Sequence, residues 1–419
     1  MGASPPYFQA GAHRQPGCQA NRGDIAWSSA DSHALSTSGD KLPEGLACAH
    51  GLSIVLFGAT GYTGRLTAEA LVKRGATPVL AGRNEKCLKQ MAEGLGDGLE
   101  TAFADVGKPE TVRALLRAGD VMLSTVGPFT RWGDPAAEAA IDARAAYIDS
   151  TGEPAFIHKV FTEFGPRAKE AGIPMITAAG YDWVPGNLAA ALALSEAGDQ
   201  ATKVQIGYFI LGKGETNGLS GGHHGQHNRR GAGAGLRVAR GAPGDRAQRQ
   251  EGALLEVKGR RRPAISSASS EHFTIPRLFK QVTDGEPFLG WFGSMSRPLQ
   301  VSSAGTAAMT KIPGTKTGMA KLIGRFAKGS SGGPDEDERS KTGSHILAIA
   351  RNEAGDQLSE VHLDGVNGYT FTAEFLAWAA ICGQQGRIKG SGALGPAEAF
   401  TIEGLTEGAA SAGIKRAQG

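Results

Sequence analysis

The apolar positions change their period along this chain, and the changes predict its elements. From Ser53 short continuous apolar runs alternate with helical patterns. Ile54–Phe57 reads as a strand buried on both faces. A helix follows over about 62–74, then a strand over 77–81 and a helix over 85–93. Further strands are expected at 101–104, 121–125 and 175–178, with helices from Pro109, over 135–145 and over 156–172. Strands alternating with helices predict an α/β fold, a doubly wound parallel sheet of the Rossmann type.

Further on the period becomes two. Residues 344–351 and 358–363 alternate apolar and polar around Gly355-Asp356, which predicts an antiparallel hairpin. Residues 371–382 form an apolar helix, and Leu394-Gly395-Pro396 opens a last one, expected to return to the first sheet. Glu271-His272-Phe273 and Phe288–Gly293 suit strands of a second sheet, and 328–342 reads as a polar loop. The expected domains are therefore 51–180, a nucleotide-binding domain, and 181–390, an α+β substrate and dimerisation domain, with 391–419 as the returning helix. Residues 1–50 are Gly, Ala, Ser, Pro, Gln and His without periodicity. They read as a disordered tail, or as sequence ahead of the true start near Gly51.

The candidate chemistry sits at the end of the first strand. Gly58, Gly61 and Gly64 follow it at three-residue spacing in Gly-Ala-Thr-Gly-Tyr-Thr-Gly. Gly58 allows the tight turn, Gly61 lets a pyrophosphate approach the backbone, and Gly64 lets helix and strand pack closely. With Thr60, Tyr62 and Thr63 these residues make a dinucleotide turn whose helix N-terminus faces the phosphates. The second strand ends in Gly82-Arg83-Asn84, where the adenosine ribose would lie. A carboxylate there would take the 2′-hydroxyl of NAD; Arg83 suits the 2′-phosphate of NADP, unless it is a plain surface Arg. Asp105 can hydrogen-bond the adenine or cap the helix at Pro109. Val126, Gly127 and Pro128 follow the fourth strand, at the ligand-binding edge of such sheets.

Composition narrows the partners. Lys and Arg number 44 against 41 Asp and Glu, which does not point to nucleic acid. Four cysteines without metal-ligand spacing fit a reducing, cytoplasmic setting better than a disulfide framework. No apolar run reaches the roughly 18 residues of a membrane span, which leaves room for peripheral contact. His223, His224 and His227 lie among glycines with no acidic residue or Cys near, so no metal site is expected. The stretch 221–250 instead reads as a flexible basic loop or as a local frameshift.

GATGYTG, LAGRN, STVGPF, YIDSTGE and AAGYDWVPGN, in that order, resemble the saccharopine dehydrogenase-like oxidoreductases. Within them the set is most similar to the bacterial trans-acting enoyl reductase branch. The likeness covers most of 53–215 and resumes near Arg260. It implies NADP, a second α+β domain, and reduction of a lipid-like or acyl substrate in lipid or glycolipid synthesis. A homodimer and an acyl-thioester substrate are the corresponding partners.

Catalytic residues are harder to name. Tyr147, Tyr181, Tyr208 and Tyr369 each lack the Lys four residues on that a short-chain dehydrogenase uses. Tyr181, Asp182, Asp149 and Glu153 are candidates for positioning or proton delivery, and each has an ordinary structural role as its alternative. None is assigned. Two alternatives to a reductase stay open: a nucleotide-binding redox or lipid-associated partner without turnover, and an amino-acid dehydrogenase of the saccharopine type.

Overall fold

A computed structural model describes residues 52–96, 98–212, 236–239, 242–245, 252–290 and 332–417. The expectations for residues 1–50, for 221–250 except 236–239 and 242–245, for Trp291–Gly293 and for 328–331 lie outside them; the described pieces of 221–250 pair as a short antiparallel hairpin where a flexible loop was expected.

The first sheet has seven strands. They are β1 (Ile54–Phe57), β2 (Val79–Gly82), β3 (Thr101–Phe103), β4 (Val121–Ser124), β5 (Ala146–Asp149), β6 (Pro174–Ile176) and, from the far end of the chain, β15 (Gly392–Ala393). All pair in parallel, in the order β15-β6-β5-β4-β1-β2-β3. The chain runs outward from β1 to β3, then crosses back to β4 on the other side of β1. That reversal opens a crevice at the carboxyl ends of β1 and β4. The register sets Phe57 opposite both Ala81 and Ser124, so β1 and β4 finish level and β2 runs one residue further.

The remaining strands are β7 (Lys203–Gly212), β8 (Leu236–Ala239), β9 (Ala242–Asp245), β10 (Gly252–Val257), β11 (Arg260–Ser266), β12 (Asp284–Leu289), β13 (Thr342–Arg351), β14 (Gln357–Gly365) and β16 (Ile414–Arg416). Seven of them form a mixed sheet in the order β10-β11-β12-β7-β13-β14-β16, while β8 and β9 pair as a hairpin. The β13–β14 hairpin sits where the alternation placed it, antiparallel from Ser344↔Gly365. A shared core joins the sheets, with β1 and β4 residues such as Leu56 and Leu123 in one cluster with Ile346 and Ala348 of β13.

Several expectations need correction. Residues 271–273 begin a helix, Glu271–Leu278, not a strand. Its aromatic content suits a strand, but Glu271 and Thr274 find their buried hydrogen-bond partners from one helical face. Within the stretch read as a polar loop, Asp335 and Glu338 form a capping box, which supports the short helix Glu336–Ser340. The expected helix 156–172 is one helical path that widens to a π-turn at Val160–Phe164 between Pro154–Lys159 and Gly165–Ala171. The helix Val184–Ala197 was not anticipated. It is apolar on nearly every face because it is buried between the second sheet and the C-terminal helix Pro396–Ser411, so it shows no amphipathic stripe.

Candidate functional site

The dinucleotide turn is built by backbone geometry. Gly58 has φ +93°, in the region that glycine enters freely, and its N–H donates to Ala81 O across the strand ends. Gly61 N–H then closes the turn on Gly58 O at 2.9 Å. The helix Tyr62–Lys73 starts with no side-chain cap and no acidic residue in its first turn. Its N–H groups and dipole are thus left for an anion. A Cβ on Gly61 would meet one atom, Gly58 O at 3.2 Å, and otherwise point into open space. Gly64 is different: a Cβ there would stand 2.2 Å from Gly58 O. Strand and helix pack backbone to backbone at that point.

These features fit a pyrophosphate. Thr60 and Thr63 are half-buried in the same turn, and Tyr62 turns its phenol aside to another part of the chain. Arg83 is exposed one residue past β2. Asn84 has a structural task, because its side chain caps the helix Glu85–Leu95 by accepting from Cys87 N–H at 3.1 Å. Asp105 does not cap the helix Pro109–Arg113, whose N-cap is Lys108. Its carboxylate closes a local turn on Gly107 N–H at 2.9 Å instead, half-buried beside the end of β3.

On the other side of β1, Thr125 Oγ1 donates to Phe57 O and Gly58 O, both at 3.2 Å, tying β4 to the glycine turn. Val126, Gly127 and Pro128 follow, half-buried or exposed, and lead into the turn Phe129–Trp132. Glu153 holds that turn in place. Its Oε1 accepts from Phe129 N–H at 2.7 Å, and its Oε2 accepts from Thr130 N–H at 3.1 Å and Thr130 Oγ1 at 2.6 Å.

Hydrogen bonds tie Glu153, Asp149 and Tyr181, three of the side chains considered for catalysis, into the fold. Glu153 caps the turn just described. Asp149 is fully buried and accepts from Thr151 N–H, Ala178 N–H and Thr177 Oγ1 at 2.8–3.0 Å. Burial pushes its carboxyl up to about 6, against the pull of those hydrogen bonds. Tyr181 donates to Phe209 O at 3.3 Å, and burial raises its phenol further above the ordinary range. Asp182 is half-buried at the same corner.

The sequence did not disclose a second polar cluster, where the helix Val184–Ala197 leaves the first sheet. Tyr208 Oη donates to Glu271 Oε1 at 2.6 Å and accepts from Gly186 N–H at 3.0 Å. Asn187 donates to Ser270 Oγ at 3.0 Å and accepts from Thr274 Oγ1. Glu271 is fully buried, which pushes its carboxyl up to about 7. The available signal was Asn187, the one polar side chain over residues 184–194; a buried amide requires partners.

Among the described residues no group of three His, Cys, Asp or Glu could hold a metal ion, and no helix is long and apolar enough to cross a membrane.

Residues 54–176 match the family model described as the saccharopine dehydrogenase NADP binding domain. They span β1 to β6, so NADP is the cofactor of this sheet. A trans-acting enoyl reductase of Mycobacterium tuberculosis is 38% identical over 140 residues, which is 32% of this chain and 34% of that protein. A lipid droplet localized protein of Caenorhabditis elegans is 31% identical over 146 residues, 32% of this chain and 34% of that one. The chain thus spans about a third of the length of these curated relatives. The apo saccharopine dehydrogenase (L-Glu forming) of Saccharomyces cerevisiae superposes over 88% of this chain and 99% of its own, with TM-score 0.54 and 12% identity. That likeness is one of fold, and it extends over both sheets.

Proposed function

We propose that this chain, which carries an NADP-binding domain of the saccharopine dehydrogenase kind, is a reductase that transfers hydride to an acyl or enoyl carbon of a lipid-like substrate. The observation that carries the proposal is the uncapped helix end at Gly61–Tyr62, opening at the crevice between β1 and β4. The names of the two aligned relatives support a lipid-related substrate.

Bound NADPH supplies the hydride, which would reach the β-carbon of an enoyl thioester. The protein's part is placement. The Gly58–Gly64 turn would hold the pyrophosphate, and Arg83 would pair with the 2′-phosphate by a charge-assisted hydrogen bond. The Val126–Pro128 loop, fixed from behind by Glu153, would flank the nicotinamide and limit its tilt. Tyr181 and Asp149 would shape the corner, Asp149 as the acceptor of three hydrogen bonds. Asp182, half-buried at that corner, is a candidate for guiding a proton to the α-carbon.

The test is a titration of the full chain with NADPH and NADH, followed by nicotinamide fluorescence. The reading expects tight, NADPH-selective binding, and oxidation of the bound cofactor by enoyl thioesters in preference to keto thioesters. Selective binding without turnover on either class would overturn the reductase and leave a nucleotide-binding partner protein.

A further inference from the structure

The helix Tyr62–Lys73 begins without the supports a helix end ordinarily has. Gly61 contributes no side chain, no neighbour caps the first turn, and no acidic residue lies in it. Free N–H groups are what a phosphate requires, but a turn with no cap frays.

Support comes from a distant part of the chain. Tyr62, the first residue of the helix, donates its hydroxyl hydrogen to Pro334 O. Arg339 Nη1 donates to Tyr62 Oη and to Pro334 O, each at 3.0 Å, so three groups close one small network. Gly333 lies flat on the tyrosine ring, where a Cβ would come within 2.4 Å of Cε1. Tyr369 meets the ring edge-on, at a centroid distance of 5.1 Å.

The supporting segment is itself braced. Asp335 and Glu338 cap its short helix reciprocally. Arg339 is half-buried there, while Glu336, Asp337 and Glu338 are exposed. At its exit Thr342 Oγ1 accepts from Asn367 Nδ2 at 2.7 Å, and Asn367 caps the helix Gly368–Gln384 that carries Tyr369.

We propose that residues 332–340 form a bracket on the dinucleotide turn, and that Arg339, acting through Tyr62, is a positioning residue for the pyrophosphate site. The proposal rests on the reading of that turn as the NADP site. The guanidinium fixes the phenol, the phenol fixes the first helical residue, and the first-turn N–H groups keep their aim. No contact between Arg339 and the cofactor is involved. The effect is therefore blind to the 2′-phosphate and to the nicotinamide.

Arg339→Ala, Arg339→Lys and Tyr62→Phe, each in the full chain, test this against the unaltered protein. Dissociation constants for NADPH, NADH and ADP-ribose should rise by one common factor, about tenfold for Arg339→Ala. Arg339→Lys, which keeps a charged donor, should recover part of the loss. KM for NADPH should rise while kcat holds. In the cofactor-free protein, amide hydrogen exchange at Arg65, whose N–H bonds back to Gly61 O, and at the next turn of the helix should quicken in Arg339→Ala. Unchanged exchange and unchanged affinities in a folded Arg339→Ala would reduce the bracket to packing. A loss confined to NADPH would mean that Arg339 meets the 2′-phosphate itself. If Arg339→Ala does not fold, Tyr62→Phe, which deletes one oxygen, decides by the same readings. A parent protein that binds no dinucleotide sinks the cofactor reading, whereas the exchange measurement still decides the bracket.

Discussion

The carbonyl oxygen of Gly58 occupies the space that a Cβ on Gly64 would need, 2.2 Å from its ideal position. The neighbour is backbone held by the hydrogen bonds of the strand-end turn, so it has little freedom to yield. Gly64→Ala is therefore expected to destabilise the protein by about 3 kcal/mol, at the upper end of overpacking costs. Gly61→Ala, whose Cβ meets only Gly58 O at 3.2 Å, should cost about 1 kcal/mol in the absence of cofactor and still weaken dinucleotide binding. Urea unfolding of the two variants separates a folding requirement from a binding one. Equal stabilities would mean the helix can back away from the strand.

Arg83 bears on cofactor choice. Arg83→Ala should lower affinity for NADPH by about tenfold to a hundredfold, the range for a hydrogen bond to a charged group, and change NADH by less than about twofold. The preference should also narrow as salt rises, because Arg83 is exposed. Equal losses for both nucleotides would remove Arg83 from the 2′-phosphate site.

Glu153 joins two loops through three accepted hydrogen bonds. Glu153→Ala strands a buried N–H at Phe129 and should destabilise by about 2 kcal/mol. Because that turn follows Val126–Pro128, KM for substrate should change as well. Glu153→Gln keeps one accepting oxygen and should lie between the two. A thermal melt with parallel kinetics reads both effects, and a silent Glu153→Ala would show that the turn holds its own shape.

Acid should stabilise this fold over part of the pH range. Burial raises Glu271 from 4.5 to about 7 and Asp149 from 3.8 to about 6, so the folded protein holds both protons more tightly than the unfolded chain. Stability from these groups is fully present below about pH 4 and is lost as pH rises through about 6 and then 7. For Glu271 the loss is on the order of 3 kcal/mol. Carboxyls shifted downward, Asp364 beside His345 and Lys258 among them, act in the opposite sense at lower pH. Urea midpoints at pH 5 and pH 8 should differ in the parent protein and differ less in Glu271→Gln. An unchanged difference in that variant would mean Glu271 is not the group that titrates.

How far the fold was legible depends on where each segment ends up. Ile54–Phe57 and Val121–Ser124 are covered on both faces, so their continuous apolar runs announce strands directly. Val79–Gly82 was placed two residues early, since Thr77 and Pro78 extend the run without joining the ladder. The helix Val184–Ala197 escaped because burial on all sides removes the periodic contrast that marks a surface helix. Residues 271–273 went to the wrong class because aromatic content is a statement about burial, and helices and strands both bury rings.

The sequence by itself determined five of the seven strands of the first sheet and the glycine turn, because each follows from local rules, apolar runs and backbone freedom; β5 and β15 were not anticipated. The tertiary structure alone decided what the polar residues of the site do. Asp149, Glu153 and Tyr181 read as candidate catalysts from their position after a strand, yet they have partners 24 to 191 residues away in sequence, Thr372 beside Tyr181 being the most distant. Tyr62 meets Arg339 across 277 residues. Hydrogen bonding acts over about 3 Å whatever the sequence separation, so such roles appear only once the chain has folded.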